Sequence, residues 1–198
     1  PVEMSDHAVR ACSAAIKMKK AEVLMNEEIV QIAGGEKPAD MEQDLYDAFK
    51  IMVANKKTIF TRIGMNSGEM IAGYFGSQNK KNYTMMGNNV NLASRLEGVN
   101  KQYHTGGILI SAATRELLGD AFIVRSLDRV RVVNVNTPLR LYELLDFAEG
   151  AGDELTAYVA DWEKAFALFE ARDYQKAYEG FKTLADRKKD DNVVRYYI

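Results

Sequence analysis

Between Thr58 and Met86 the hydrophobic pattern shortens to the period of extended chain, and polar, glycine-bearing turns interrupt it every few residues. Thr58-Ile59-Phe60-Thr61-Arg62-Ile63-Gly64-Met65 reads as a strand that ends at Asn66-Ser67-Gly68. Glu69 to Phe75 reads as its neighbour and stops at Gly76-Ser77. Asn79-Lys80-Lys81-Asn82 reads as a solvated turn before a short strand, Tyr83 to Met86. Turns this short join strands antiparallel, so this stretch demands a sheet.

Helical spacing brackets that sheet. Ser5 or Asp6 can cap a helix carrying Val9, Cys12, Ile16, Lys19 and Val23 toward Met25, and Gly34-Gly35 and Pro38 interrupt it. Asp40 to about Asn55 places Leu45, Phe49, Met52 and Val53 on one apolar side. Gly87-Asn88-Asn89 leads into a helix from Val90 to about Tyr103. Ile108 to Ile110 is a short strand, and Ser111 can cap a helix bearing Leu117 and Leu118. Phe122 to Leu127, Val130 to Val133 and Leu139 to Leu145 read as three further strands, with Pro138 at a strand beginning where its missing N–H does least harm. The expected class is α+β, helices packed on a mostly antiparallel sheet.

At Glu149-Gly150-Ala151-Gly152-Asp153 the strand pattern stops. Leu155, Val159, Trp162, Phe166 and Phe169 mark one amphipathic helix; Tyr174, Ala177, Tyr178, Phe181 and Leu184 mark a second. The expected organisation is a domain over residues 1–148 and a helical hairpin over 149–198. One such hairpin buries little alone, so it docks on the domain or begins a helical repeat. It is also a candidate surface for protein contact.

Charge and cysteine usage remove several classes of function. Twenty-six basic against 28 acidic residues leave a formal charge of -2, so no global field draws nucleic acid. Cys12 is the single cysteine; it can form no internal disulfide or thiolate cluster, and its alanine-rich neighbours suit helix packing. No apolar run reaches the roughly 18 residues that cross a bilayer. The expected location is cytoplasmic, with membrane attachment of the parent protein open. Pro1 follows no initiator methionine and reads as the start of a processed or excised piece.

The helix after Gly87 carries the most informative polar pair. Asn91 and Arg95 lie four apart and project from the same face, while Leu92 and Leu96 form the matching apolar pair. A guanidinium fork suits phosphate, although a solvated arginine near Glu97 fits the same spacing. Lys80-Lys81 suits an anion or plain solvation. The glycines form no Walker loop and no dinucleotide fingerprint. His7 and His104, and Asp120, Asp128 and Asp146, lack metal-ligand spacing, so no metal ligand is assigned.

Taken in order, three strings are more specific than their parts. Arg62-Ile-Gly-Met-Asn-Ser-Gly68, Gly73-Tyr-Phe-Gly76 and Tyr83-Thr-Met-Met-Gly-Asn-Asn-Val-Asn-Leu-Ala-Ser-Arg-Leu-Glu97 strongly resemble the class III adenylate/guanylate cyclase catalytic domain. The likeness continues through Gly107-Ile-Leu-Ile-Ser111 to Pro138-Leu-Arg-Leu-Tyr-Glu-Leu144, with a variable region before Lys57. It implies an incomplete ferredoxin-like cyclase domain. It also implies a reaction joining the ribose 3′ oxygen to the α-phosphorus of a nucleoside triphosphate, with release of pyrophosphate.

The resemblance assigns roles by position. Arg95 matches the arginine that stabilises charge around the α-phosphate, and Asn91 the asparagine that positions the ribose. Thr84 matches a base-recognition position and modestly favours adenine, hence ATP and cyclic AMP. Two aspartates that hold a magnesium or manganese pair have no counterpart in this chain, so the fragment alone is expected to be catalytically incomplete. Val133 stands near the position of a phosphate-contacting lysine, for which Arg129 or Arg131 is a candidate substitute. The resemblance further implies a head-to-tail dimer with a second cyclase domain, one partner supplying the metal carboxylates and the other the Asn91 and Arg95 positions. Guanylate cyclase is the neighbouring alternative; a noncatalytic nucleotide-binding or protein-interaction module is the alternative from another class.

Overall fold

The computed structural model describes residues 4–77, 79–131 and 138–198. Two helices come first, α1 (His7–Gly34) and α2 (Gln43–Ala54). They are followed by β1 (Ile63–Met65), β2 (Ile71–Ser77), β3 (Lys80–Met86), α3 (Asn88–Tyr103), β4 (Ile108–Ser111) and α4 (Ala112–Glu116). Then come β5 (Phe122–Val130), β6 (Leu139–Phe147), α5 (Asp153–Glu170), α6 (Tyr174–Arg187) and a 3-10 turn, Val194–Tyr196. Among the described residues the main sheet has the order β1-β4-β6-β5. β1 runs parallel to β4, while β4–β6 and β5–β6 are antiparallel. The α+β class read from the sequence holds, with one parallel pair in a mixed sheet.

Two apolar clusters hold the layers together. Ala8, Cys12, Ala15 and Ile16 of α1 pack with Ile108 and Ile110 of β4, Phe122 and Leu144. Leu96 and Tyr103 of α3 share the other cluster with Leu109, Leu127 and Leu141 of the sheet and with Trp162, Phe166, Phe181, Leu184 and Val194 of the C-terminal segment. The C-terminal hairpin therefore docks on the sheet. Trp162 is fully buried and its Nε1–H donates to the Ser126 carbonyl at 2.7 Å, so the largest apolar group of the tail has its polar atom satisfied inside the core.

Several boundaries differ from the sequence reading, each for a physical reason. α1 runs past Met25 to Gly34, and Val23 is exposed; beyond Ile16 only Ile29 of this helix is buried. α2 fully buries none of its residues: Phe49, Met52 and Val53 are half-buried and Leu45 is exposed. The extended chain from Thr58 is not ladder-paired until Ile63. Its backbone is bound by α1 side chains instead: Ile59 N–H donates to Asn26 Oδ1 at 2.8 Å, Asn26 Nδ2 donates to the Ile59 carbonyl at 2.9 Å, and Thr61 N–H donates to Glu22 Oε2 at 2.5 Å. Lys80 and Lys81 belong to β3 and pair with Ser77 and Gly76, rather than forming the turn. Phe122 to Val130 is one strand with bulges at Ile123/Val124 and Ser126/Asp128, which absorbs the break expected after Leu127. The segment containing Val133 lies outside the described residues.

Local signals held where they depend on chemistry within one turn. Ser111 caps α4, its Oγ accepting from Thr114 N–H at 3.2 Å, and Asp173 caps α6 in the same way. Asp6 precedes α1 but forms no side-chain cap; it pairs with Arg10 one turn on. Among the described residues, no helix is long and apolar enough to cross a membrane.

Candidate nucleotide site

β2 and β3 form a two-stranded sheet of their own, in which Thr84 lies opposite Gly73 and Tyr74 opposite Tyr83. The tyrosine rings meet edge-on at 5.2 Å on one face. Thr84 belongs to the other face, where Gly73 contributes no side chain, so the threonine is uncovered across the ladder. Every residue of β3 is exposed.

The chain then passes directly from β3 into α3. Gly87 is the N-cap residue at φ 144°, a backbone region that L side chains rarely adopt, so glycine is required there for conformation. Asn91 N–H donates to the Gly87 carbonyl at 3.1 Å and closes the first helical turn. Asn91 is exposed and Arg95, one turn further along the same face, is half-buried. Leu96 is fully buried and Leu92 packs beside the same cluster, so the apolar pair anchors the helix as its spacing required. Glu97 pairs with Arg62 Nε at 2.9 Å.

A second pair of amides, which the sequence did not mark, fixes the start of α3. Asn66 Nδ2 donates to Asn89 Oδ1 at 3.0 Å, and Asn89 Nδ2 donates to the Glu69 carbonyl at 2.9 Å. A side chain at Gly68 would meet the Asn89 amide at 2.4 Å, which explains glycine in the β1–β2 loop. The only available signal was the Asn-Ser-Gly turn, and turn chemistry does not reveal a partner 23 residues away.

β1 has a ladder partner on one side only among the described strands. A groove of about 610 Å³ runs there, lined by Ala8 and Ala11 of α1, Met65, Ser67, Met70 and Ala93 of α3. Among the described residues, no group of three His, Cys, Asp or Glu side chains can hold a metal ion. Arg129, one candidate substitute for a lysine at Val133, pairs with Glu170 of α5 at 3.2 Å. His7 is exposed on α1, its Nδ1 3.0 Å from the Met4 carbonyl oxygen.

Comparison with known proteins places this geometry in a family. The sequence model of the Adenylate and Guanylate cyclase catalytic domain matches residues 2–145. The terminal-differentiation specific adenylate cyclase of Dictyostelium discoideum is 30% identical over 145 residues, covering 71% of this chain and 7% of that protein. Adenylate cyclase 1 of Rhizobium meliloti is 38% identical over 85 residues, covering 43% of this chain and 13% of that protein. The chain thus spans a small part of the length of these relatives. The crystal structure of the guanylyl cyclase Cya2 aligns with a TM-score of 0.56 at 24% identity, covering 77% of this chain and 64% of that one, a likeness of fold. On the match over residues 2–145, this chain belongs to the adenylate and guanylate cyclase catalytic domain family.

Proposed function

We propose that the protein containing this chain is an adenylate cyclase converting ATP to 3′,5′-cyclic AMP and pyrophosphate, and that this chain supplies one half of its active site. The observation that carries the reading is the continuous β3–α3 unit. Uncovered Thr84 is followed by Asn91 and Arg95 on one face of an anchored helix, the order in which the resemblance sets base, ribose and phosphate contacts.

In this reading Thr84 contacts the adenine, Asn91 holds the ribose and orients its 3′ oxygen, and Arg95 binds the α-phosphate. Arg95 keeps its charge throughout and stabilises negative charge that grows on the α-phosphate oxygens as the leaving pyrophosphate departs. Neither Asn91 nor Arg95 transfers a proton; their contribution is orientation and electrostatics. Magnesium or manganese would be held by carboxylates outside these 198 residues. The open edge of β1 and its adjoining groove suit an added extended segment bearing them.

The site is completed by a second cyclase domain packed head to tail. The exposed Ile71, Tyr74, Tyr83, Met85 and Met86 support this, because a two-stranded sheet with so much apolar surface is marginal alone. On the same reading the isolated chain is inactive, and the catalytic region is cytoplasmic.

The test is cyclic nucleotide production by the whole protein with ATP and with GTP, each with magnesium or manganese. Cyclic AMP formation that Arg95→Ala reduces supports the reading. Preference for GTP replaces it with guanylate cyclase, and binding of ATP without turnover of either nucleotide replaces it with a noncatalytic module. Metal-dependent turnover by this chain alone, equal to that of the whole protein, would contradict its assignment as half a site.

A further inference from the structure

A chain of buried polar contacts joins the end of α3 to the C-terminal segment. Asn100, buried in the last turn of α3, donates to the Ile63 carbonyl of β1 at 3.0 Å and to the Leu96 carbonyl at 3.3 Å. Its Oδ1 accepts from Thr105 Oγ1, which in turn accepts from Gly107 N–H at 3.2 Å. Gly106 N–H donates to Glu143 Oε1 at 2.5 Å. The other Glu143 oxygen accepts from Arg125 Nε at 2.8 Å, and the rest of the Arg125 fork grips both oxygens of Asp191. Asp191 also accepts from Tyr158 Oη at 2.8 Å and from Val193 N–H at 3.1 Å.

A second route runs through aromatic rings. Tyr103, the final residue of α3, donates to Asp128 of β5, and its ring lies 4.7 Å from that of Tyr196. Tyr197 donates to the Leu127 carbonyl of the same strand. The tail thus touches the end of α3 through the Tyr196 ring and reaches it indirectly through the polar chain.

We propose that the C-terminal segment Asp191–Tyr197 positions α3, Asp191 acting through Arg125, Glu143 and Gly106, and Tyr196 acting through Tyr103. The inference rests on the reading of α3 as the nucleotide-facing helix. Asn100 lies five residues beyond Arg95, roughly 7.5 Å along the axis, so a shift of the helix end is carried by a stiff rod to Arg95 and Asn91. The network has no slack. Arg125 and Glu143 are 3% and 1% exposed at their side chains, and unseating Asp191 strips half the guanidinium's partners inside the core. Asp191 and Tyr196 are positioning residues, since neither belongs to the nucleotide face.

Hydrogen exchange of the full chain tests this, comparing peptides over residues 96–107 with peptides over 8–16 of α1. Tyr196→Ala and Asp191→Asn should each raise exchange over 96–107 by about tenfold or more and leave 8–16 unchanged. Tyr196→Phe, which keeps the ring, should restore the wild-type pattern. In the whole enzyme the two disruptive variants should lower kcat severalfold with little change in KM. Unaltered exchange over 96–107, an equal rise in both regions, or raised exchange with unchanged kcat would each overturn the proposal. Tyr196 is half exposed, so its variants fold even if Asp191→Asn does not. Absence of cyclase activity in the wild-type whole protein would refute the reading of α3 instead, and the exchange measurement would still decide the coupling.

Discussion

Arg125 and Asp191, 66 residues apart in the chain, form a two-pronged ion pair in the interior, with the guanidinium also stacked 4.4 Å from the centre of the Trp162 ring. The pair ties the sheet to the segment after α6, with its two side chains only 3% and 7% exposed. Removing one partner leaves the other buried and uncompensated, so Arg125→Ala should cost about 3–5 kcal/mol, measured by urea unfolding.

The same pair sets an acid limit. Burial acts to raise the Asp191 carboxyl, but hydrogen bonding to Arg125 and the guanidinium charge outweigh it and hold the group below its ordinary value of 3.8. A carboxyl depressed in the folded state contributes stability that is fully present above the unfolded value and lost as pH falls through the folded one. Unfolding midpoints should therefore lose this contribution below about pH 4, and Asp191→Asn should flatten that part of the acid profile.

Two glycines on either side of the β1–α3 crossing should respond oppositely to alanine. A Cβ at Gly64 would meet the Ala93 carbonyl oxygen at 2.3 Å and the Glu97 nitrogen at 2.4 Å, both backbone atoms that cannot rotate away. Gly64→Ala should destabilise by about 1–3 kcal/mol or more. Gly98, inside α3, has nothing within 4 Å of an added Cβ, so Gly98→Ala should stabilise by about 0.5–1 kcal/mol. Thermal melts of both variants check the pair.

Cys12 offers a probe of α1. Burial pushes its thiol up to about 12, and the side chain is fully covered. At pH 8 the native chain should react with a thiol reagent at least about 1,000-fold more slowly than the denatured chain. Labelling that is fast in native buffer would show that α1 leaves β4 far more readily than this packing allows.

On the proposed adenylate cyclase reading, Arg95→Ala in the whole protein should lower kcat by about 100-fold or more, the usual scale for losing a group that stabilises transition-state charge. Arg95→Lys should recover part of it, since lysine keeps the charge but not the fork. Steady-state kinetics with ATP measure both.

Much of this was legible in the chain because it depends on neighbours in sequence. The turn into α3 at Gly87, the cap at Ser111, the core position of Cys12 and the Asn91–Arg95 face follow from backbone chemistry and helical spacing. The family came instead from the resemblance of the ordered strings to the class III cyclase domain, which the match over residues 2–145 bears out. Other features depend on partners that no local window contains. Thr58 to Arg62 reads as strand by pattern, yet Asn26 and Glu22 of α1 take up the backbone groups of Ile59 and Thr61. The apolar side of α2 has the right period but meets no core. Nothing in the sequence singles out Arg125, Glu143 and Asp191; only the packing of the tail against β5 brings them together and buries them. The sequence by itself determined where helices form, the cap at Ser111 and the passage from β3 into α3, because those are set by interactions within a few residues; the end of α1 and the β2–β3 turn fell elsewhere. Tertiary structure alone decided which extended backbone joins the sheet and which charges are buried, because both depend on what else competes for the same hydrogen bonds.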